Sequence, residues 1–169
     1  TLSSEQIRMT VHLPRLALLG AGALGCAVLE GLHRAGAVFD DGWVATTRSE
    51  TGLQRVPVLP GLERCSEERT ARINESAVAQ AKVVLIAVRP QQVLSVIDEI
   101  TDHLPSDAIV VSLAADPNLS VLRDRLGAER AIARMMPNTA VRALAGILGL
   151  AFDAAVPAAD RTLIEQLGR

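Results

Sequence analysis

The stretch Arg15-Leu16-Ala17-Leu18-Leu19-Gly20-Ala21-Gly22-Ala23-Leu24-Gly25 decides the fold. Its first half is an apolar run of strand length. Its second half is a glycine-rich turn, and the residues after it repeat apolar positions at helical spacing: Leu24, Val28, Leu32 and Ala35, with Gly36 ending the run. A Gly-x-Gly-x-x-Gly string gains meaning only between a strand and a helix, and that is its place here. Gly20 permits the tight turn, Gly22 lets a pyrophosphate approach the backbone, and Gly25 lets the helix pack closely on the strand. The helix start then offers unpaired N–H groups and a positive dipole end to phosphates, so Gly20, Ala21, Gly22, Ala23, Leu24 and Gly25 are candidate cofactor-binding residues. The plainer alternative is a purely structural turn.

Working outward, Trp43 to Thr47 reads as a second strand. Between Arg48 and Ser66, Pro57, Pro60 and Gly61 break the pattern, leaving room for a short helix and a weak third strand at Leu62 to Cys65. A helix is expected from Asn74 to Ala81. The run Val83 to Val88 is apolar at every residue, as in a parallel strand covered on both faces. Pro90 suits a helix's first turn, with Val93, Leu94, Ile97 and Ile100 as its buried stripe. Ala108 to Leu113 is another strand, and Asp116-Pro117 reads as N-cap and first-turn proline of a helix through Leu126, closed by Gly127. Ala131 to Met135 and Leu144 to Phe152 read as the last strands, and Pro157 to Leu167 as a closing helix. Alternation of strand and helix predicts a Rossmann-type α/β fold, a doubly wound, mostly parallel sheet. The expected organisation is an N-terminal extension over residues 1–14 and a dinucleotide-binding domain over 15–169, with no internal repeat.

The end of the second strand bears on the choice of nicotinamide cofactor. An NAD site usually presents a carboxylate there for the ribose 2′-hydroxyl. This chain presents Thr47-Arg48-Ser49, and a guanidinium with two hydroxyls suits a 2′-phosphate. NADP(H) is therefore the expected cofactor and NAD(H) the alternative, with Arg48 as a solvated loop charge the plainer reading. Glu50 falls one position late and is expected on the following helix.

Composition narrows the function classes. With 17 basic and 19 acidic residues among 169, the chain lacks the basic balance of a nucleic-acid surface. Lys82 is the only lysine, and aromatics make up 2% of the chain, so Leu, Val, Ile and Ala must fill the core. Cys26 and Cys65 stand far apart, and His12, His33 and His103 make no ligand pattern, so no metal site is expected. No apolar run is long enough to span a bilayer, and no export signal is evident, which leaves a cytoplasmic protein as the expectation. No activated nucleophile or carboxylate pair stands out; hydride transfer needs neither, because the cofactor brings the reagent.

Four blocks, in order, resemble the pyrroline-5-carboxylate reductase family. They are Leu18 to Gly25, Ala87-Val88-Arg89-Pro90-Gln91, Ser112-Leu113-Ala114-Ala115, and Arg134-Met135-Met136-Pro137-Asn138-Thr139, the last being the most specific. Asn74 also falls where that family has an asparagine near the adenosine half of the cofactor. The resemblance implies an NADPH-dependent oxidoreductase of amino-acid biosynthesis, reducing the C=N bond of 1-pyrroline-5-carboxylate to make proline. Ala87, Val88, Arg89 and Pro90, with Leu113, Ala114 and Ala115, would border the nicotinamide ribose and ring. Pro137, Asn138 and Thr139 would lie beside the reacting face, while the catalytic residues themselves stay unassigned.

The chain departs from the family pattern at Arg89 (usually lysine), Asp116 (usually glycine), Ala140 (often proline) and Arg142. The family continues into a helical C-terminal dimerisation domain that holds most of the imino-acid site. The resemblance therefore implies a homodimer or higher oligomer for a full-length protein, and little or no turnover by this chain alone. Two other readings remain: a divergent NADP-linked imine reductase or dehydrogenase, and a non-catalytic NADP-binding module.

Overall fold

The computed structural model describes residues 10–144 and 148–169. The strands are β1 (Val11–Leu13), β2 (Leu16–Leu19), β3 (Ala37–Phe39), β4 (Trp43–Thr47), β5 (Leu62–Ser66), β6 (Val83–Ile86), β7 (Ile109–Ser112), β8 (Ala131–Pro137) and β9 (Leu148–Phe152). The α-helices are α1 (Ala23–Arg34), α2 (Glu50–Leu53), α3 (Ile73–Val78), α4 (Val93–Ile100), α5 (Leu119–Leu126) and α6 (Ala158–Leu167).

Seven strands form one sheet in the order β5-β4-β2-β6-β7-β8-β9. All neighbours are parallel except β8 and β9, which run antiparallel, Arg134 lying opposite Ala151. This is the Rossmann order, and it reverses between β2 and β6, where open α/β sheets bind ligands.

Side-chain alternation divides the core in two. Leu16 and Leu18 of β2, Val83 and Leu85 of β6, and Ile109 and Val111 of β7 face α1, α2 and α6. Ala17 and Leu19, Val84 and Ile86, and Val110 face α3, α4 and α5. Each strand is thus apolar on both sides, which is why their sequences are continuous and not alternating.

The strand Trp43–Thr47 and the closing helix lie where the sequence put them, and a short α2 and the strand β5 occupy the broken stretch between Arg48 and Ser66. Three readings need correction. The helix after Asn74 stops at Val78, with Ala81 already turning towards β6 through its N–H to Val78 O. The last strand begins at Leu148; Leu144 ends a 3-10 turn in the left-handed region (φ 56°), and residues 145–147 lie outside the described residues. The helix α5 is capped by Asn118, whose side chain accepts from Val121 N at 3.1 Å, and Asp116 is exposed two residues upstream. One side chain suffices for the N-cap, Asn is as good there as Asp, and Pro117 lies outside the helix. The small parallel pair β1–β3, joined through Val11–Ala37, had no reading in the sequence because each strand is three residues long.

Candidate dinucleotide site

The carboxyl ends of the parallel strands form one edge, and a cleft opens along it. Gly20, Ala21 and Gly22 leave β2 as a turn whose backbone ties into the sheet: Gly20 N and Ala21 N both donate to Thr46 O, at 3.1 and 2.8 Å. Gly20 holds φ +82°, and a Cβ there would stand 2.3 Å from Val88 Cγ1, so no larger residue fits. Gly22 has open space, and a Cβ there would meet only Gly20 O, at 4.0 Å. Gly25 packs against the strand, a Cβ lying 3.0 Å from Leu18 Cδ2 and 3.4 Å from the Ala87 Cβ. The three glycines thus differ in use: turn, open approach, and helix-to-strand contact.

The start of α1 has no side-chain cap and no acid in its first turn, and Gly22 and Ala23 are exposed. The first N–H groups of a helix have no intrahelical acceptor, so this end faces the cleft as a set of donors with a positive partial charge.

On one side of the turn the cleft is bordered by Thr47, Arg48 and Gly52, and on the other by Ala87, Val88 and Arg89. Arg48 is exposed, and among the described residues its guanidinium has no carboxylate partner. The hydroxyls beside it also bond the backbone. Thr47 is buried and its Oγ1 donates to Ser49 O at 2.9 Å, while Ser49 Oγ accepts from Gly52 N and caps α2. Of the expected trio, Thr47 and Arg48 line the cleft and Ser49 lies off its wall. Glu50 does lie on α2, its carboxylate engaged by Arg69 and by Ser66 Oγ.

Asn74 forms the floor. It is 3% exposed, its Oδ1 accepts from Thr46 Oγ1 at 2.6 Å, and its Nδ2 donates to Glu67 Oε1 at 3.0 Å and Glu99 Oε2 at 3.3 Å. Both carboxylates line the cleft, as do Gln92, Ser95 and Val96. Reasoning from sequence missed this wall. Gln92, at the N-cap of α4, and Ser95 and Glu99 on it recur at i, i+3 and i+7, a polar stripe beside the buried Val93, Ile97 and Ile100, and that spacing was the available signal.

The remaining residues sit at neighbouring points of the same edge. Pro90 is exposed at the first turn of the helix after β6. Leu113, Ala114 and Ala115 follow β7, Leu113 N donating to Ile86 O at 2.9 Å. Pro137 to Thr139 stand apart from the cleft. Asn138 caps the turn over residues 139–143 by accepting from Ala140 N, and that turn packs on α1 so closely that a Cβ on Gly31 would lie 2.7 Å from Val141 O. Pro137 borders an apolar hollow there with Val28, Leu32, Met135 and Val141.

The thiols take no part in the cleft. Cys26 is buried, donating to Ala21 O at 3.5 Å, and burial followed by the Glu30 charge pushes its thiol up; burial does the same to Cys65. Among the described residues there is no cluster of three His, Cys, Asp or Glu suited to a metal, and no helix long and apolar enough to cross a membrane.

A strand-turn-helix phosphate cradle at the switch point of a doubly wound sheet defines the class: a dinucleotide-binding domain of the oxidoreductase type. The family model described as NADP oxidoreductase, coenzyme F420-dependent, matches residues 15–116, and the chain belongs to that family. Its relatives are named as pyrroline-5-carboxylate reductases. The enzyme of that name from Escherichia coli (strain K12) is 33% identical over 148 residues, 86% of this chain and 52% of the relative. A pyrroline-5-carboxylate reductase structure from Coxiella burnetii superposes with a TM-score of 0.77 at 27% identity, covering 90% of this chain and 54% of that one. The Plasmodium falciparum pyrroline carboxylate reductase with NADP bound gives a TM-score of 0.75 at 21% identity, covering 90% and 53%. The chain spans about half the length of the curated relatives it matches.

Proposed function

We propose that this chain is the NADPH-binding part of a reductase that converts 1-pyrroline-5-carboxylate to proline. The observation that carries the cofactor half of the reading is the left-handed turn at Gly20, which feeds the uncapped start of α1 beside an Arg48 that has no carboxylate partner among the described residues. The substrate half draws on the names of the relatives and on the four blocks that resemble them.

The residues fit the cofactor. The N–H groups of Ala23 and Leu24 at the start of α1 receive the pyrophosphate, and Gly22 leaves it space. Arg48 pairs with the 2′-phosphate, for which a planar guanidinium offers bidentate donors. Asn74, with Glu67 and Glu99, walls the adenosine side, and Ala87 to Pro90 with Leu113 to Ala115 border the nicotinamide side. When bound, the dihydronicotinamide supplies a hydride to the imine carbon, and the ring nitrogen gains a proton. The chain's own part is orientation and the exclusion of water from one face of the ring. Residues 15–169 act as the cofactor domain, with 1–14 as an extension to it. This chain alone binds cofactor and turns over little, in the cytoplasm, as part of a homodimer or larger assembly.

Calorimetric titration with NADPH and NADH is the first test. Trp43 is a poor reporter: it lies at the amino end of β4, stacked on Phe39 at 4.7 Å, about 13 Å along the strand from the cleft. Saturable binding, tighter for NADPH, is expected, and absence of heat with either cofactor overturns the reading.

A further inference from the structure

The loop after β7 is held from two sides. Ser112 Oγ accepts from Ala114 N at 3.3 Å. Nη2 of Arg134 donates to the carbonyls of both Ala114, at 3.2 Å, and Ala115. Register explains the reach: Arg134 of β8 is the Cα partner of Ser112, so its side chain stands beside the strand end from which the loop departs.

This arrangement is costly as packing alone. The guanidinium is partly buried, and its Nε has no partner among the described residues. A buried unpaired N–H is unfavourable, and a plain hydrophobe between Ala133 and the buried Met135 would avoid it. Among the described residues, the one other polar contact of Arg134 besides the two carbonyls is the Met136 sulfur, at 3.9 Å. What the arginine adds is a donor for the Ala114 and Ala115 carbonyls, beside the bonds that Leu113 N makes to Ile86 O and Ala114 N to Ser112 Oγ.

Sheet geometry says what that loop faces. β2, β6 and β7 are successive neighbours, so the loop lies two strand spacings, about 10 Å, from the Gly20 turn, on the side away from β4 and Arg48. A dinucleotide with its pyrophosphate over Gly22 and its 2′-phosphate at Arg48 sends its other half over β6 and β7.

We infer that Arg134 is a positioning residue: by clamping the carbonyls of Ala114 and Ala115 it sets the backbone loop against which the nicotinamide half of the cofactor lies. This rests on the NADPH reading above. Arg134 touches neither cofactor nor substrate in this assignment, and it acts through the loop.

The test compares two probes by calorimetry on the 169-residue chain: NADPH, which reaches the loop, and 2′,5′-ADP, which ends short of it. R134M is expected to weaken NADPH binding about tenfold, since the loop loses its clamp while its other backbone bonds remain, and to leave 2′,5′-ADP within about twofold. R134K keeps the charge without the planar fork and is expected to fall between. A merely structural arginine gives equal losses for both probes, and an idle one gives none; either result overturns the assignment. If the unmodified chain binds neither probe, the cofactor reading fails and this inference with it. If it binds both and the variants bind equally well, the positioning role alone fails. Should R134M not fold, judged by its thermal melt, the same comparison is made with R134K.

Discussion

Thr46 Oγ1 donates a hydrogen bond of 2.6 Å to Asn74 Oδ1, and both residues are almost fully buried. That bond fixes which way the Asn74 amide points. With Oδ1 taken by Thr46, Nδ2 must face the cleft, and its two hydrogens are shared between Glu67 and Glu99. A threonine on β4 thereby sets two carboxylates side by side on the wall of a site that otherwise suits an anion.

The carboxylate pair should therefore oppose cofactor binding electrostatically. E67Q and E99Q each keep an acceptor for Asn74 and remove a negative charge. Each is expected to tighten NADPH binding a few-fold at low salt, with the gain shrinking as added salt screens the charges. Titrations at two ionic strengths check this, and a weakened affinity would mean that the carboxylates themselves contact the cofactor.

Arg48 is expected to distinguish the two cofactors. R48A should weaken NADPH about tenfold or more and leave NADH nearly unchanged, since only NADPH carries the phosphate that the guanidinium can meet. Equal weakening of both would return Arg48 to a solvated loop charge.

The cap of α5 offers a clean contrast. N118A removes the acceptor for Val121 N and should cost about 1 kcal/mol, whereas D116A, at an exposed position outside the helix, should stay within about 0.5 kcal/mol. Urea denaturation of the two variants decides; a larger loss for D116A would put the helix start two residues earlier.

Asp153 is expected to contribute to the acid limb of stability. The Arg123 side chain, donating from Nε at 3.2 Å and pairing from Nη2 at 2.7 Å, together with the Ala155 N–H, holds its carboxyl below the usual value. A depressed folded value gives stabilisation that is present above the unfolded value, about 3.9, and lost as pH falls through the folded one. D153N should lower the urea midpoint at neutral pH and flatten its fall below about pH 4 relative to the unmodified chain. Parallel acid limbs in the two proteins would remove Asp153 from the account.

The phosphate turn was legible because its requirements are local. Gly20, Gly22 and Gly25 announce a left-handed turn, an open approach and a close packing contact within six residues, and each use is found at its glycine. The all-apolar β6 was legible because burial on both faces leaves no polar residue in its run, and Trp43–Thr47, buried throughout, was legible from its β-branched and aromatic residues although it carries Thr46 and Thr47. Asp116 misled because Asp-Pro and Asn-Leu are both acceptable helix starts two residues apart, and only the bond from Val121 N selects Asn118. The backbone bonds of Thr47 and Ser49 were not legible, because a hydroxyl's sequence position does not reveal which backbone groups it meets.

The amino-acid sequence by itself determined the order of the strands of the main sheet and their helices, the place of the glycine turn and the absence of a carboxylate at the end of β4. Those follow from residue-by-residue constraints on φ, burial and charge. The tertiary structure alone decided that Glu67 and Glu99 share one amide, that Gly31 must admit Val141 O, and that Arg134 reaches across to the loop after β7. Each of these joins residues brought together only when the sheet forms, because hydrogen bonds and contacts depend on distance in space and not along the chain.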